Sequence, residues 1–220
     1  YYMILDLHNL HLRPFHFNKN TIKYFIDPQI ISIYRGFVMS YKGVILRKSI
    51  SISKIYSIHY FEYMSNFSFE GETHDFWEFI CVDKGEVNVT AGNETTVLKR
   101  GDIAFHQPNE FHSVQATGKI APNLVVISFH CEDEAMTFFR EKTLKIDETE
   151  RNILASIIIE ARRCFDCRLD DPYLQNMPRK EPDMFGAEQL ICLYLEQLLI
   201  HLIRRYSNPL ALPREIAKTA

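Results

Sequence analysis

The 220-residue sequence contains little glycine and proline, 8 and 9 residues respectively. This excludes a collagen-like or low-complexity chain. Its five cysteines are odd in number and follow no framework spacing, which argues against a disulfide-stabilised scaffold and favours reduced thiols. No run approaches the roughly 18 consecutive apolar residues of a membrane-spanning helix, and the first residues lack a signal-peptide pattern. The sequence therefore predicts a cytoplasmic protein without a membrane partner.

An excess of positive charge is also missing. The chain has 25 basic and 28 acidic residues, a net charge of −3, so its overall electrostatics do not indicate a nucleic-acid surface. No nucleophile elbow, phosphate-binding loop or dinucleotide-binding glycine motif occurs. These absences argue against an enzyme without excluding one, and no catalytic residue is predicted, while hydrophobic residues at 46% suffice for a core.

Residues 55–131 have the clearest pattern. Turn-forming clusters recur about every eight to nine residues, which is typical of an all-β sandwich or barrel. The runs between them are seven predicted strands: Ile55–Glu62, Phe76–Val82, Glu86–Thr90, Thr95–Leu98, Ile103–His106, Phe111–Val114 and Leu124–His130. Seven short strands bury their faces most simply in a double-sheet jelly roll.

Residues 132–206 have helical patterns. A short segment near Glu134–Glu141 comes first. A longer helix follows, in which Asp147 and Glu150 have the spacing of a capping box. The last helix is predicted from about Gly186 to Tyr206. The fold class is therefore mainly β with C-terminal helices.

The last helix is apolar on nearly all sides, whereas a surface helix of a monomer needs one apolar stripe. We interpret this as packing on the barrel with one side and on a second subunit with the other. The alternative is burial wholly within its own chain. The residues predicted to mediate dimerisation are Leu190, Ile191, Tyr194, Leu195, Leu198, Leu199 and Leu202.

Polar and aromatic residues alternate in one segment. If this segment is a single strand, its even-numbered side chains face one way. These are Glu72, His74, Phe76 and Glu78. Trp77 and Phe79 would face the other way, against helices. A charged series on one strand face needs a function, because unpaired charges are costly to bury.

The spacing in this segment resembles the motifs of the cupin superfamily. His74, Glu78 and Gly85 match the second half of the first cupin motif, and Gly101 with His112 matches the ends of the second. The resemblance implies a cupin-like jelly-roll barrel in which these side chains converge.

An ordered set of short motifs is similar to the effector-sensing cupin domain of AraC-type transcriptional regulators: Thr73–Phe79, Asp83–Val87, Gly101–Phe105 and Pro108–Ser113. The similarity covers about residues 55–206. It implies a homodimer formed by the helical unit and DNA binding by the complete protein. Residues 207–220 are too short for a helix-turn-helix, so we expect DNA contact only through a domain absent from this chain.

The AraC resemblance implies a binding role for five residues. A small polar effector, for example a sugar, would enter the barrel mouth and form hydrogen bonds with His74, Glu78 and His112. Glu72 would lie near the rim and Phe76 would be an apolar wall. No cofactor is expected.

Two alternatives remain open. His74, Glu78 and His112, with Glu72 in place of the usual first histidine, suit a transition metal, as in a stand-alone metal-dependent cupin dioxygenase or isomerase. A ligand-free dimerisation scaffold is the other. His106 is interpreted as a histidine at the barrel rim with its hydrogen bonds satisfied.

Residues 1–54 are predicted to be an N-terminal extension or arm. We hypothesise that residues 1–38 are not native, with Met39 as the natural start. Residues 207–220 are expected to be a tail.

Overall fold

The computed structural model describes residues 41–63 and 65–207. The chain from Lys48 onward is one compact unit. Residues 41–47 belong to a separate unit and contain no helix or strand. Our expectations for residues 1–38 and 208–220 lie outside the described residues.

Within the described residues, nine strands form two sheets. They are β1 (Lys54–Glu62), β2 (Ser68–Glu72), β3 (Trp77–Lys84), β4 (Glu86–Ala91), β5 (Glu94–Lys99), β6 (Asp102–His106), β7 (His112–Ala116), β8 (Asn123–His130) and β9 (Thr143–Lys145). One sheet has the order β1-β8-β3-β6-β9 and the other β2-β7-β4-β5, with antiparallel pairing throughout. The predicted cupin-like jelly-roll barrel is confirmed.

All seven predicted strands are present, and two further strands were not predicted. β2 contains a glycine and no buried side chain, and Phe69 is its single large apolar residue, so its sequence lacks the apolar run that identifies a strand. β9 has three residues, of which Leu144 is buried, and pairs with β6 inside the region expected to be helical. Both strands therefore form because they pair with β7 and β6, and their own sequences give little indication of them.

The central strands β3 and β8 are buried on both faces, which is why most of their residues are apolar, with Glu78 and Ser128 as buried polar exceptions. The inner face of the five-stranded sheet packs on the other sheet. The core between the sheets contains Phe61, Ile80, Val82, Val87, Val89, Leu98, Ala104, Leu124 and Val126. Trp77 and Phe79 face the larger core that includes the helices, as predicted.

Two α-helices cover the outer face of the five-stranded sheet: α1 (Glu148–Cys164) and α2 (Ala187–Ser207). The predicted capping box is present, because Asp147 accepts from the Glu150 backbone and the Glu150 side chain accepts from the Asp147 backbone. The segment near Glu134–Glu141 is a 3₁₀ helix over Glu134–Phe139. No helix of the described residues has the length and apolarity needed to cross a membrane.

The structure corrects our prediction for the dimerisation residues. Five of the seven are buried within this chain, against α1 and the sheet, and are not available to a second subunit: Ile191, Leu195, Leu198, Leu199 and Leu202. Leu190 remains 37% exposed and Tyr194 is half-buried. The buried stripe of the helix packs within its own chain, while Leu190 and Leu193 lie on its exposed side.

Candidate functional site

A row of four polar side chains crosses the inner face of the five-stranded sheet. The register places Ser57 of β1 opposite Ser128 of β8, Ser128 opposite Glu78 of β3, and Glu78 opposite His106 of β6. All four are buried. We call the region around this row the polar end of the barrel.

The interior becomes apolar along the strands away from this row. The next row contains His59 beside Val126, Ile80 and Ala104, and the one after it contains Phe61, Leu124 and Val82. This apolar end is filled by side chains of both sheets. Among the described residues of the barrel, the side chains suited to binding a polar group are therefore concentrated at the polar end.

Glu72 reaches the polar end from the other sheet. It ends β2 and lies opposite His112, the first residue of β7. The register shifts between Phe69 and Glu72, and Gly71 there has φ +114°. A Cβ at Gly71 would lie 2.5 Å from Phe111 Cζ and 2.6 Å from the His112 carbonyl oxygen. Glycine thus permits the close strand approach that brings Glu72 Oε1 to 3.8 Å from His112 Nε2.

His74 lies in the connection between β2 and β3 and is held from several directions. Its Nδ1 lies 3.0 Å from the Phe76 carbonyl oxygen, and its own carbonyl oxygen accepts a 2.7 Å hydrogen bond from the Asn109 backbone. The Phe76 ring stacks on the imidazole at 3.8 Å between centroids. The ring of Tyr56 covers Phe76 at the same distance.

This placement corrects the single-strand argument. The chain leaves β2 at Glu72 and enters β3 at Trp77, so Glu72, His74 and Glu78 come from two different strands and a connection. Their convergence results from sheets facing each other and not from a shared strand face.

The donor atoms of Glu72, His74, Glu78 and His112 all lie within 4.8 Å of one another. We call these residues the four-donor cluster. His112 Nε2 is 3.3 Å from Glu78 Oε1, and His74 Nε2 is 3.7 Å from Glu78 Oε2. Glu78 and both imidazoles are nearly buried, whereas the Glu72 side chain is 51% exposed. The cluster therefore meets solvent on the Glu72 side.

Backbone carbonyl oxygens orient both imidazoles. His74 Nδ1 contacts the Phe76 carbonyl, and His112 Nδ1 lies 3.1 Å from the Glu110 carbonyl. A carbonyl oxygen only accepts, so each Nδ1 carries the hydrogen. Each Nε2 then directs either a lone pair or a second proton into the cluster. Within the described residues, neither Nε2 completes a hydrogen bond, although both are inaccessible to solvent.

The charges of the cluster stabilise one another. Burial alone would raise the pKa of Glu78, but interactions with His112, His74 and Ser128 outweigh it and lower that pKa well below its usual value. Burial likewise opposes protonation of His112, but Glu72 and Glu78 prevail and raise its pKa to about 10. At neutral pH His112 is therefore an imidazolium that lies between the carboxylates of Glu72 and Glu78.

Two serines that the sequence analysis missed orient Glu78. Ser128 Oγ donates a 2.5 Å hydrogen bond to Glu78 Oε2, and Ser57 Oγ lies 2.8 Å from Ser128 Oγ. Both serines lie within predicted strands, but only the strand register brings them beside Glu78. No local motif identifies them.

His106 was predicted to have its hydrogen bonds satisfied, and this was wrong. It is 1% exposed and stacks on His112 at 4.4 Å, yet neither of its ring nitrogens completes a hydrogen bond within the described residues. Glu110 Oε2 is 3.6 Å from its Nδ1. His59 is also buried with Nδ1 unpartnered, and burial lowers its pKa despite the charge of Glu78. The sequence did contain a signal for this burial. Side chains two residues apart on a strand share a face, so His106 of β6 faces the barrel interior like Ala104.

The four-donor cluster fits a divalent metal ion. Imidazole and carboxylate ligands lie about 2.0–2.2 Å from zinc, so two ligand atoms on one ion are at most about 4.4 Å apart. The separations of 3.3, 3.7 and 3.8 Å fall within this limit, whereas the widest separation in the cluster, up to 4.8 Å, exceeds it, so a bound ion would draw the side chains slightly together. Nδ1 atoms bound to carbonyls are also the usual support of metal-binding histidines. The same residues are suited to hydrogen bonding an organic ligand.

Comparison with known proteins identifies a matching family. The family model described as AraC-like ligand binding domain matches residues 54–180, which include every residue of the four-donor cluster. No curated protein matches the sequence.

Several solved structures are similar in part. One is the cupin domain of Cnp3 from Schizosaccharomyces pombe, at 15% identity and TM-score 0.30 over 33% of this chain and 50% of that chain. Another is TT1209 from Thermus thermophilus, at 20% identity and TM-score 0.30 over 39% and 77%. A third is an apo variant of ToxT from Vibrio cholerae, at 7% identity and TM-score 0.42 over 73% and 58%. The chain thus spans half of the Cnp3 domain and just over half of ToxT.

Proposed function

Because the chain belongs to the family of AraC-like ligand-binding domains, we propose that it senses a small polar effector for a transcription regulator, with the four-donor cluster as the contact site. The effector would approach from the exposed side at Glu72. Since the donor atoms lie within 4.8 Å of one another, it would present a single polar group to them and keep the rest of its body outside.

The observation that supports this proposal is the set of buried imidazole nitrogens without partners. Buried polar atoms in folded proteins nearly always have a hydrogen-bond partner, and each exception needs an explanation. Here His74 Nε2 and both nitrogens of His106 are such exceptions at one end of one barrel, and His112 Nε2 makes ion-pair contacts at 3.3 and 3.8 Å without completing a hydrogen bond. A bound polar group would supply the missing partners.

Strand β3 would carry the signal outward. Glu78 points into the cluster, while its neighbours Trp77 and Phe79 lie in the core shared with α1 and α2. A ligand that favours one position of β3 would favour one arrangement of the helices. Regulation requires such a difference in affinity between two arrangements.

Thermal-shift measurements with sugars, sugar acids and small carboxylic acids test this function, because a ligand that binds the folded state raises its stability. We expect at least one compound to raise the melting temperature. Glu78→Gln and His112→Gln should abolish the shift, and Glu94→Gln, an exposed glutamate on β5, should retain it. A shift that survives both cluster substitutions would reject the site.

A metal-dependent enzyme is the second candidate, favoured by the ligand-atom separations. Glu72, His74, Glu78 and His112 would hold the ion, which would supply Lewis-acid or redox chemistry when bound. Ser128 would keep Glu78 oriented, and the two carbonyl oxygens would keep both Nε2 lone pairs directed inward. Metal analysis of the purified protein decides: a stoichiometric transition metal that is lost in His74→Ala, together with turnover of a substrate, would favour the enzyme over the sensor.

We also propose that the protein is a cytoplasmic homodimer and that the whole protein contacts DNA. The exposed side of α2 would contribute to the dimer, since Leu190 and Leu193 are 37% and 50% exposed. Light scattering after size-exclusion chromatography tests this. Leu193→Glu should give monomers and Val97→Glu, an equally exposed residue of β5, should not; an unchanged mass for Leu193→Glu would exclude this surface.

A further inference from the structure

The carboxylates at the polar end of the barrel pair with histidines. Glu72 and Glu78 belong to the four-donor cluster, and Glu110 Oε2 lies 3.6 Å from His106 Nδ1. Within the described residues, no lysine or arginine forms an ion pair with any of these three carboxylates. His112 brings one positive charge against the two carboxylates of the cluster. The cluster therefore favours a cationic ligand over an anionic one.

Both carboxylates of the cluster have room for further hydrogen bonds. Ser128 donates to Glu78 Oε2, but neither Glu78 Oε1 nor the Glu72 carboxylate accepts a completed hydrogen bond within the described residues. A hydroxyl group has one hydrogen and can donate to only one of them, whereas an ammonium group has three N–H donors and no acceptor. A ligand nitrogen with several hydrogens is therefore the group that satisfies both carboxylates.

The spacing of the carboxylate oxygens also fits an ammonium nitrogen. A charge-assisted N–H···O hydrogen bond is about 2.7–2.9 Å long, so two oxygens bonded to one tetrahedral nitrogen are about 4.4–4.7 Å apart. The oxygens that Glu72 and Glu78 offer lie within 4.8 Å of each other, which allows this separation. On the premise that the cluster is the proposed effector contact, we propose that the effector presents a primary ammonium group to Glu72 and Glu78.

Neighbouring groups suit the remaining parts of such a ligand. In its neutral form His74 has a lone pair at Nε2, because its Nδ1 donates to the Phe76 carbonyl oxygen. This Nε2 is shielded from solvent and has no partner within the described residues, so it can accept the third N–H. The Phe111 ring lies against Gly71, directly before Glu72, and is 44% exposed, so it can contact the carbon atoms of the ligand.

Ethylammonium chloride is the probe, because it presents the ammonium group on a small carbon body. NMR spectra of the imidazole rings follow its binding, with EDTA present so that metal ions do not compete. We expect the ring signals of His74 and His112 to shift and to saturate with a millimolar dissociation constant. Ethanol has a hydroxyl group in place of the ammonium group, and tetramethylammonium has the charge without N–H donors. Both should bind at least about tenfold more weakly.

Glu72→Gln removes one of the two carboxylates at a side chain that is 51% exposed, so the fold is kept. We expect this variant to bind ethylammonium about tenfold more weakly. Glu70→Gln makes the same change at an exposed residue of the same strand, β2, and should leave the binding unchanged.

The possible outcomes separate the ligand class from the effector site itself. Ethanol binding as tightly as ethylammonium would overturn the ammonium class but leave the cluster as an effector site. Equal shifts with tetramethylammonium, or unchanged affinity in Glu72→Gln, would also overturn the proposal. If none of the three probes shifts the ring signals, the ammonium class is overturned, while the thermal shifts with Glu78→Gln and His112→Gln still decide the effector site.

Discussion

The two ends of the barrel interior are built on the same strands but differ in chemistry. At the polar end, successive strands contribute Ser57, Ser128, Glu78 and His106. At the apolar end, three of these strands contribute Phe61, Leu124 and Val82. The shared register shows that one scaffold holds a tightly packed core and a set of unsatisfied polar groups a few residues apart. The apolar end stabilises the fold, and the polar end is where binding is proposed.

Removing apolar volume should give the largest loss of stability and no loss of binding. Leu124→Ala creates a cavity at a residue that is 1% exposed, so we expect a decrease of about 4 kcal/mol in the free energy of unfolding. Urea unfolding measures it, with the half-exposed Val97→Ala as a control. A loss below that of the control would mean that the apolar end is not the stabilising half.

Glu78→Gln should have the next largest effect, because it leaves the buried His112 imidazolium with one distant carboxylate. Breaking a buried charge pair from one side costs about 3 kcal/mol. Urea unfolding at pH 6, where the imidazolium is present, is the measurement. Glu94→Gln should change little, and equal stability of the two variants would contradict the ion pair.

The pH dependence of stability should separate the two ends further. The raised pKa of His112 stabilises the folded protein below its ordinary value of about 6.5, and this contribution is lost as the pH rises through about 10. We expect a decrease of about 2 kcal/mol between pH 6.5 and pH 9, discounted because Glu72 is half-exposed.

His112→Gln should remove this decrease, and the difference between the two proteins isolates it. His59 acts with the opposite sign, because its lowered pKa makes stability fall with decreasing pH, but both proteins contain it. Parallel pH profiles for wild type and His112→Gln would refute the assignment.

Ser128→Ala should have the smallest effect of the series. It removes the hydroxyl that orients Glu78 but keeps the charge pair, so we expect a loss of about 1 kcal/mol. The melting temperature measures it against Ser68→Ala, an exposed serine of β2. If Ser128→Ala were as unstable as Glu78→Gln, Ser128 would contribute more to stability than the orientation of the Glu78 carboxylate.

The barrel could be predicted from the sequence because its turns and strands are indicated by residues close together in the chain. Turn residues and apolar runs identified seven strands, and the capping box at Asp147 located α1. The residues of the four-donor cluster were identified by motif resemblance, although the reason offered for their convergence was wrong. The chain bends between Glu72 and Trp77, and no alternation rule marks where a strand ends.

The parts that were not predicted depend on distant residues. Ser57 and Ser128 are 71 positions apart and meet only through the pairing of β1 with β8. The apolar character of α2 did not reveal whether its partner was its own chain or another, and the structure shows its own chain for Ile191, Leu195 and Leu199. The surface that packs against a helix is determined by the complete fold and cannot be derived from the sequence of that helix.

The carbonyl contact at His112 Nδ1 leaves Nε2 as the titrating atom of that ring. A cation can enter the cluster only by displacing the proton that His112 carries at neutral pH, so loading would acidify an unbuffered solution. Its apparent affinity would therefore strengthen steadily as the medium becomes more alkaline. The barrel would then report the acidity of its surroundings through the occupancy of its cluster.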